Sequence, residues 1–207
     1  DGRASGIGDG RHDGVDPLGI DVVDRHAGAC TCEAFGDGLP YALVFDIGGV
    51  LVHWDPVAGF AEACGGREAA MGFMERVGFR DKNARADAGE SFADLAAEIE
   101  DARDREIFAG YLDAYPLTVQ RKIKGSWTLL DAMKENGTPV HAITNWSAET
   151  WPRGLTAQPR LGKVFDTLIV SGEERMAKPD PAIFALFCDR AGVAPEACFF
   201  VDDSIKN

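Results

Sequence analysis

Long hydrophobic runs are missing from this sequence. No apolar stretch approaches the ~20 residues needed to cross a bilayer, and the first residues lack the apolar core of a secretory signal. A membrane protein is therefore not expected, and the cytoplasm is the default compartment. Basic residues are also scarce, with 21 lysines and arginines against 34 aspartates and glutamates, a formal charge of -13. No Lys/Arg cluster offsets that excess, so nucleic acid and anionic membrane should be repelled. The acidic surface serves solubility, yet magnesium could still bring a phosphorylated metabolite to it. Cysteines are few and odd in number: Cys30, Cys32, Cys64, Cys188 and Cys198. Cys30 and Cys32 stand too close for an ordinary zinc half-site, and no second pair follows. Cys188 and Cys198 lie in apolar runs and read as buried thiols, which fits a reducing compartment.

With 207 residues there is room for one α/β domain carrying an insertion, or for two small domains. Residues 1–39 repeat glycine and aspartate, and only residues 18–23 offer an apolar cluster. They are expected to be a disordered or non-native leader. His12 and His26 fall within it, at a spacing that fits no standard metal-ligand set.

Residues 41–54 read YALVFDIGGVLVHW. An apolar run without alternation describes a parallel strand buried on both faces, although a short buried helix has the same pattern. It stops at Asp46, and Gly48-Gly49 then allow a tight turn in which backbone amides can approach a ligand. Asp55-Pro56 suits a helix start. Four helical patterns follow: Val57, Phe60, Ala61 and Cys64; Met71, Phe73, Met74 and Val77; Phe92, Leu95, Ala96 and Ile99; Ile107, Phe108, Tyr111 and Leu112. No strand pattern interrupts residues 55–116, which are expected to be a small helical insertion.

The α/β alternation then resumes. Trp127, Leu129, Leu130 and Met133 stripe a helix that Asn136-Gly137 ends. Residues 140–144 (VHAIT), 165–170 (FDTLIV) and 197–201 (ACFFV) are further buried strands. A helix is expected from about residue 148, limited by Pro152 and Pro159, and another over residues 181–191 with Asp180 as its cap. A parallel sheet normally continues past such a last strand, so the chain is expected to be a fragment ending after a functional loop.

Parallel strands share a direction, so Asp46, Thr144-Asn145, Lys178 and Asp202-Asp203 would all open on one edge of the sheet. A carboxylate there can act as a nucleophile toward phosphorus or an activated carbon. A lysine can balance its charge, and paired aspartates supply hard oxygens suited to magnesium. Carboxylates gathered in one pocket repel each other unless a cation is present.

These segments resemble the haloacid dehalogenase superfamily of hydrolases. The matching pieces are VFDIGGVLVHWDP at 44–56, AITNWS at 142–147, SGEERMAKPDPAIF at 171–184 and FFVDDSIKN at 199–207. The resemblance implies a Rossmann-like parallel sheet, with residues 40–54 and 117–207 as the core and 55–116 as a helical cap. It implies a magnesium-dependent phosphohydrolase of small phosphorylated metabolites, with Asp46 carrying a phospho-aspartyl intermediate. Thr144 and Asn145 would bind the phosphoryl group, Lys178 would balance charge, and Gly48 and Gly49 would contribute to substrate binding. Asp46, Asp202, Asp203 and the Gly48 carbonyl would hold magnesium.

One departure matters. Most phosphatases of this family carry a second Asp, the general acid and base, two positions after the nucleophile; here Gly48 stands there. A substrate with an acidic leaving hydroxyl, such as a sugar 1-phosphate, would ask less of an acid. Two alternatives remain: a metal-independent 2-haloacid dehalogenase and a catalytically silent binding domain. The dehalogenases carry Tyr-Gly-Thr where this chain has Gly48-Gly49-Val50, and Ser and Asn where it has Asp202-Asp203. A silent domain would have no evident need for Asp46, Lys178 and the Asp pair together. His53 and Trp54 are placed near the pocket mouth, Trp146 and Trp151 as loop anchors, and Glu90 as a residue within reach of the pocket.

Overall fold

The computed structural model describes residues 42–207 together with a two-residue strand, β1 (Asp21–Val22). The remaining expectations for residues 1–39, including His12, His26, Cys30 and Cys32, lie outside the described residues, as does Tyr41. The other strands are β2 (Ala42–Phe45), β3 (Val140–Thr144), β4 (Thr167–Val170) and β5 (Cys198–Val201). All pair in parallel, in the order β1-β5-β2-β3-β4.

Side chains of a strand alternate between faces, so each apolar run feeds two cores. Ala42 and Val44 of β2, Ile143 of β3 and Phe200 of β5 join Ile183, Phe184 and Phe187 of helix α10 (Pro181–Ala191). Phe45, Val140 and Ala142 turn the other way and join Trp127 and Leu130 of α7 (Lys124–Glu135). Cover on both faces explains why the strands read as continuous apolar runs. The α10 start follows the expectation, with the Asp180 carboxylate accepting from the Ala182 N–H at 2.9 Å.

Between β2 and α7 run α1 (Pro56–Cys64), α2 (Arg67–Arg76), α3 (Phe79–Asp87), α4 (Phe92–Ala97), α5 (Ala102–Ala109), α6 (Tyr111–Ala114) and a 3-10 turn (Tyr115–Val119). Their core is aromatic: Phe60 stacks on Tyr111 at 4.6 Å, and Phe79 meets both edge-on. Gly59 makes the approach possible, because a Cβ there would lie 2.7 Å from the Tyr111 ring.

Local chemistry differs from expectation at four places. Asp55 precedes α1 but makes no side-chain cap; its carboxylate pairs with Arg67 at 2.8 Å. Helix α3 has no counterpart among the four apolar patterns, since only Phe79 and Ala86 of it are buried. Helix α8 is Trp151–Ala157, so Pro152 sits in its first turn instead of limiting it. Strand β4 begins at Thr167, two residues later than expected, and Asp166 just before it accepts from the Val140 N–H through its carboxylate at 2.8 Å.

Candidate active site

Asp46 stands at the C-terminal end of β2, between β5 and β3. Its N–H donates to the Val201 carbonyl at 2.8 Å, and its Oδ1 accepts from the Ile47 N–H at 2.7 Å. The chain then turns sharply at Gly49, whose φ of 73° suits glycine and whose N–H donates to the Val52 carbonyl. A side chain at Gly49 would collide with the Asp203 carboxylate. Gly48 is the opposite case, because a Cβ there would meet nothing within 4 Å.

Lys178 comes from the segment between β4 and α10, after the short helix α9 (Ser171–Glu174). Its buried ammonium lies 2.6 Å from Asp202 Oδ2 and 3.2 Å from Asp46 Oδ1, above the Phe200 ring at 4.9 Å. Asn145 holds it there. The carboxamide Oδ1 accepts from the Lys178 N–H at 2.8 Å, and Nδ2 donates to the Lys178 carbonyl at 2.9 Å. Expected as a phosphoryl ligand, Asn145 thus gives both ends of its side chain to positioning Lys178, although it still lines the cavity above. Thr144, at the end of β3, is fully buried, and its Oγ1 has no hydrogen-bond partner among the described residues. A buried hydroxyl left unpaired is costly, and a transferring oxyanion would satisfy it.

The carboxylates divide the work. Asp202 accepts from Lys178, from the Ser204 N–H at 2.8 Å and from Asn207 Nδ2 at 3.0 Å. Asp203 is exposed and lines the cavity. One oxygen each of Asp46, Asp202 and Asp203 lies within 4.8 Å of the others. Burial pushes the Asp46 carboxyl up, Lys178 opposes this, and the Asp202 charge pushes it further. Three carboxylates facing one ammonium leave negative charge uncompensated. This hard-oxygen donor set fits a magnesium ion, which is held by one or two carboxylates plus water and substrate.

Above this floor lies a cavity of about 410 Å³. His53, Trp54, Tyr115 and Trp146 form its walls, and Asn83 and Asp87 of α3 close it from the helical side. His53 and Trp54 are therefore where the sequence put them. Trp146 and Trp151 pack edge-on at 5.1 Å as loop anchors, and Trp146 also reaches the cavity. Glu90 is not among the lining residues; its carboxylate pairs with Arg85 at 2.5 Å. Asp87, three residues earlier, carried no recognisable signal.

A sequence profile of the haloacid dehalogenase-like hydrolases matches residues 41–207. The chain belongs to this family. Among curated family members it is 30% identical over 180 residues to phosphoglycolate phosphatase 1 of Pseudomonas aeruginosa, covering 82% of this chain and 65% of the relative. It is 35% identical over 71 residues to (S)-2-haloacid dehalogenase 4A of Burkholderia cepacia, covering 34% of this chain and 30% of that one. The chain thus spans just under two thirds, or less, of these relatives' lengths. A HAD family enzyme of Bacteroides thetaiotaomicron, solved as a magnesium complex, superposes with a TM-score of 0.61 at 23% identity, over 80% of this chain and 84% of that one. The L-2-haloacid dehalogenase of Xanthobacter autotrophicus does so at 0.51 and 21%, over 78% and 69%. At these identities the superpositions establish the α/β fold. No helix among the described residues is long and apolar enough to cross a membrane.

Proposed function

We propose that this chain carries the active site of a magnesium-dependent phosphatase that hydrolyses a small phosphorylated metabolite through a phospho-aspartyl intermediate on Asp46. The observation that carries this reading is the buried Lys178 ammonium bridging Asp46 and Asp202, with Asp203 open to the cavity above. Asp46 is the nucleophile, its Oδ1 oriented by the Ile47 N–H, and Lys178 favours its charged form against the effect of burial. The Thr144 hydroxyl donates to the transferring phosphoryl oxygens, and Asn145 fixes the lysine. The Gly48 amide approaches the same group, while the Gly49 N–H is held by the Val52 carbonyl and shapes the turn. Magnesium would be held by Asp46, Asp203, the Gly48 carbonyl and Asp202, of which Asp203 is the freer carboxylate. When bound, it would neutralise charge on the phosphoryl group and the nucleophile. Residues 55–116 form the cap over this site, and residues 40–54 and 117–207 form its core.

The phosphoglycolate phosphatase likeness favours a short, highly charged phosphate ester, and the 410 Å³ cavity suits a metabolite of that size or a sugar phosphate. The dehalogenase reading is weaker. It needs no metal and leaves the cavity-facing Asp203 without a role.

Magnesium and beryllium fluoride together mimic an aspartyl phosphate. They should raise the melting temperature of the chain by several degrees, with neither sufficient alone and Asp46→Asn unresponsive. A cooperative melt indifferent to the pair would overturn the phosphatase reading.

A further inference from the structure

Catalysis as proposed lacks a proton donor. Position 48 has no side chain, and the space beside it is open cavity. Among the described lining residues there is no lysine or arginine, and the titratable ones are Asp46, His53, Asp87, Tyr115 and Asp203. Asp46 is the nucleophile and Asp203 packs against the Gly49 turn. His53 is exposed at the mouth, and burial holds the Tyr115 phenol well above its usual range. Asp87 remains. It sits at the C-terminal end of α3, across the cavity from the floor.

Its placement is built, not incidental. Asn83 Nδ2 donates to the Asp87 carboxylate at 2.9 Å, and the Ser147 N–H donates to it from the loop after β3. The Asp87 carbonyl accepts from Ser171 Oγ at 2.5 Å, and Ser171 Oγ itself accepts from the Trp146 N–H at 2.9 Å. Gly172 keeps the Ser147 loop close, since a Cβ there would lie 2.8 Å from Ser147 Cα. The end of α3 is thus tied to the segments that carry Thr144, Asn145 and Lys178.

Building on the phosphatase reading, we propose that Asp87 is the general acid and base of this site, supplied from the helical segment in place of the carboxyl absent at Gly48. Burial and the Asp46 charge push its carboxyl up to about 7, so it holds a proton for part of the time at neutral pH. In the first step an Asp46 oxygen bonds to phosphorus, and the bond from phosphorus to the ester oxygen breaks with its electron pair moving to that oxygen. The ester oxygen takes the Asp87 proton and leaves as the alcohol. In the second step water attacks phosphorus and yields a proton to the Asp87 carboxylate. The bond to Asp46 breaks, its pair returns to the carboxylate, and inorganic phosphate leaves.

Rapid mixing of the magnesium-loaded chain with p-nitrophenyl phosphate and with an alkyl phosphate tests this. For Asp87→Asn, nitrophenol needs no acid to depart, so a stoichiometric burst should survive while later turnover slows ~100-fold or more. The alkyl ester should show no burst and at least as large a loss. Gly48→Asp placed in the Asp87→Asn chain should return part of the alkyl activity. Unchanged rates on both esters, or an equal loss on both with no burst and no rescue, would overturn the Asp87 role alone. A wild-type chain inert toward both esters, and indifferent to magnesium with beryllium fluoride, would overturn the phosphatase reading and this inference with it.

Discussion

At the cavity floor Lys178 touches Asp46 and Asp202 with none of its side chain exposed, whereas on α3 Arg85 meets Glu90 and Glu98 at 2.5 Å with 37% of its side chain in solvent. Lys82 joins the outer group through Glu98, and Asp81 lies 3.9 Å from Arg85. Both places set one cation between two carboxylates. On the surface, water can replace any partner, so each pair contributes little. At the floor no water can replace Lys178, and its removal would strand two buried carboxylates. The floor is also unbalanced, because Asp203 adds a third carboxylate to one cation. Excess buried charge facing a cavity indicates chemistry, while a solvated network indicates only a polar surface.

The sharpest way to break this contrast is Lys178→Met. Chemical denaturation at neutral pH should show a loss of about 3–5 kcal/mol, because two carboxylates lose their counter-charge in a dry site. A loss below about 1 kcal/mol would mean that the floor is wetter than its burial implies.

Asp87 extends the comparison as a partly buried carboxyl on the cavity wall, with no cation among its described partners. Its folded value of about 7 lies above the ordinary 3.8, so the stability it contributes is fully present below pH 3.8 and lost as pH rises through 7. Denaturation across that window should therefore show Asp87→Asn losing less stability than wild type, ending roughly 1–3 kcal/mol ahead at pH 8. Parallel curves would place the carboxyl in solvent.

The smallest effect is expected outside. Arg85→Gln should move the denaturation midpoint only slightly, and the difference should vanish in roughly molar salt. A larger, salt-resistant loss would show that the outer network is a structural element in its own right.

The strands were legible because parallel strands covered on both faces leave continuous apolar runs, as VHAIT does. Asp46 and Asp202 were legible as carboxylates that end apolar runs, and Lys178 through the order of the four motifs that resemble the family. Helix α3 was not. Its FRDKNARAD buries only Phe79 and Ala86, so no 3.6-residue apolar stripe marks it, and polar pairs four residues apart, Asn83 with Asp87 and Asp81 with Arg85, support it instead. Asp87 was hidden with it, in a run of charged residues that resembles any solvated face. The Asn145 clamp was equally invisible, since it depends on a main chain 33 residues away.

The strand order has a consequence for how the protein is made. Strand β2 lies between β3 and β5, so Asp46 is synthesised well before its spatial neighbour Asp202. Long-range parallel pairing of this kind forms slowly, and an unfinished chain cannot form it at all. Until β5 slots in beside it, a ribosome-bound chain already bearing Asp46 has no Asp202 across from Lys178. Only once β5 has paired with β2 can Lys178 bridge Asp46 and Asp202.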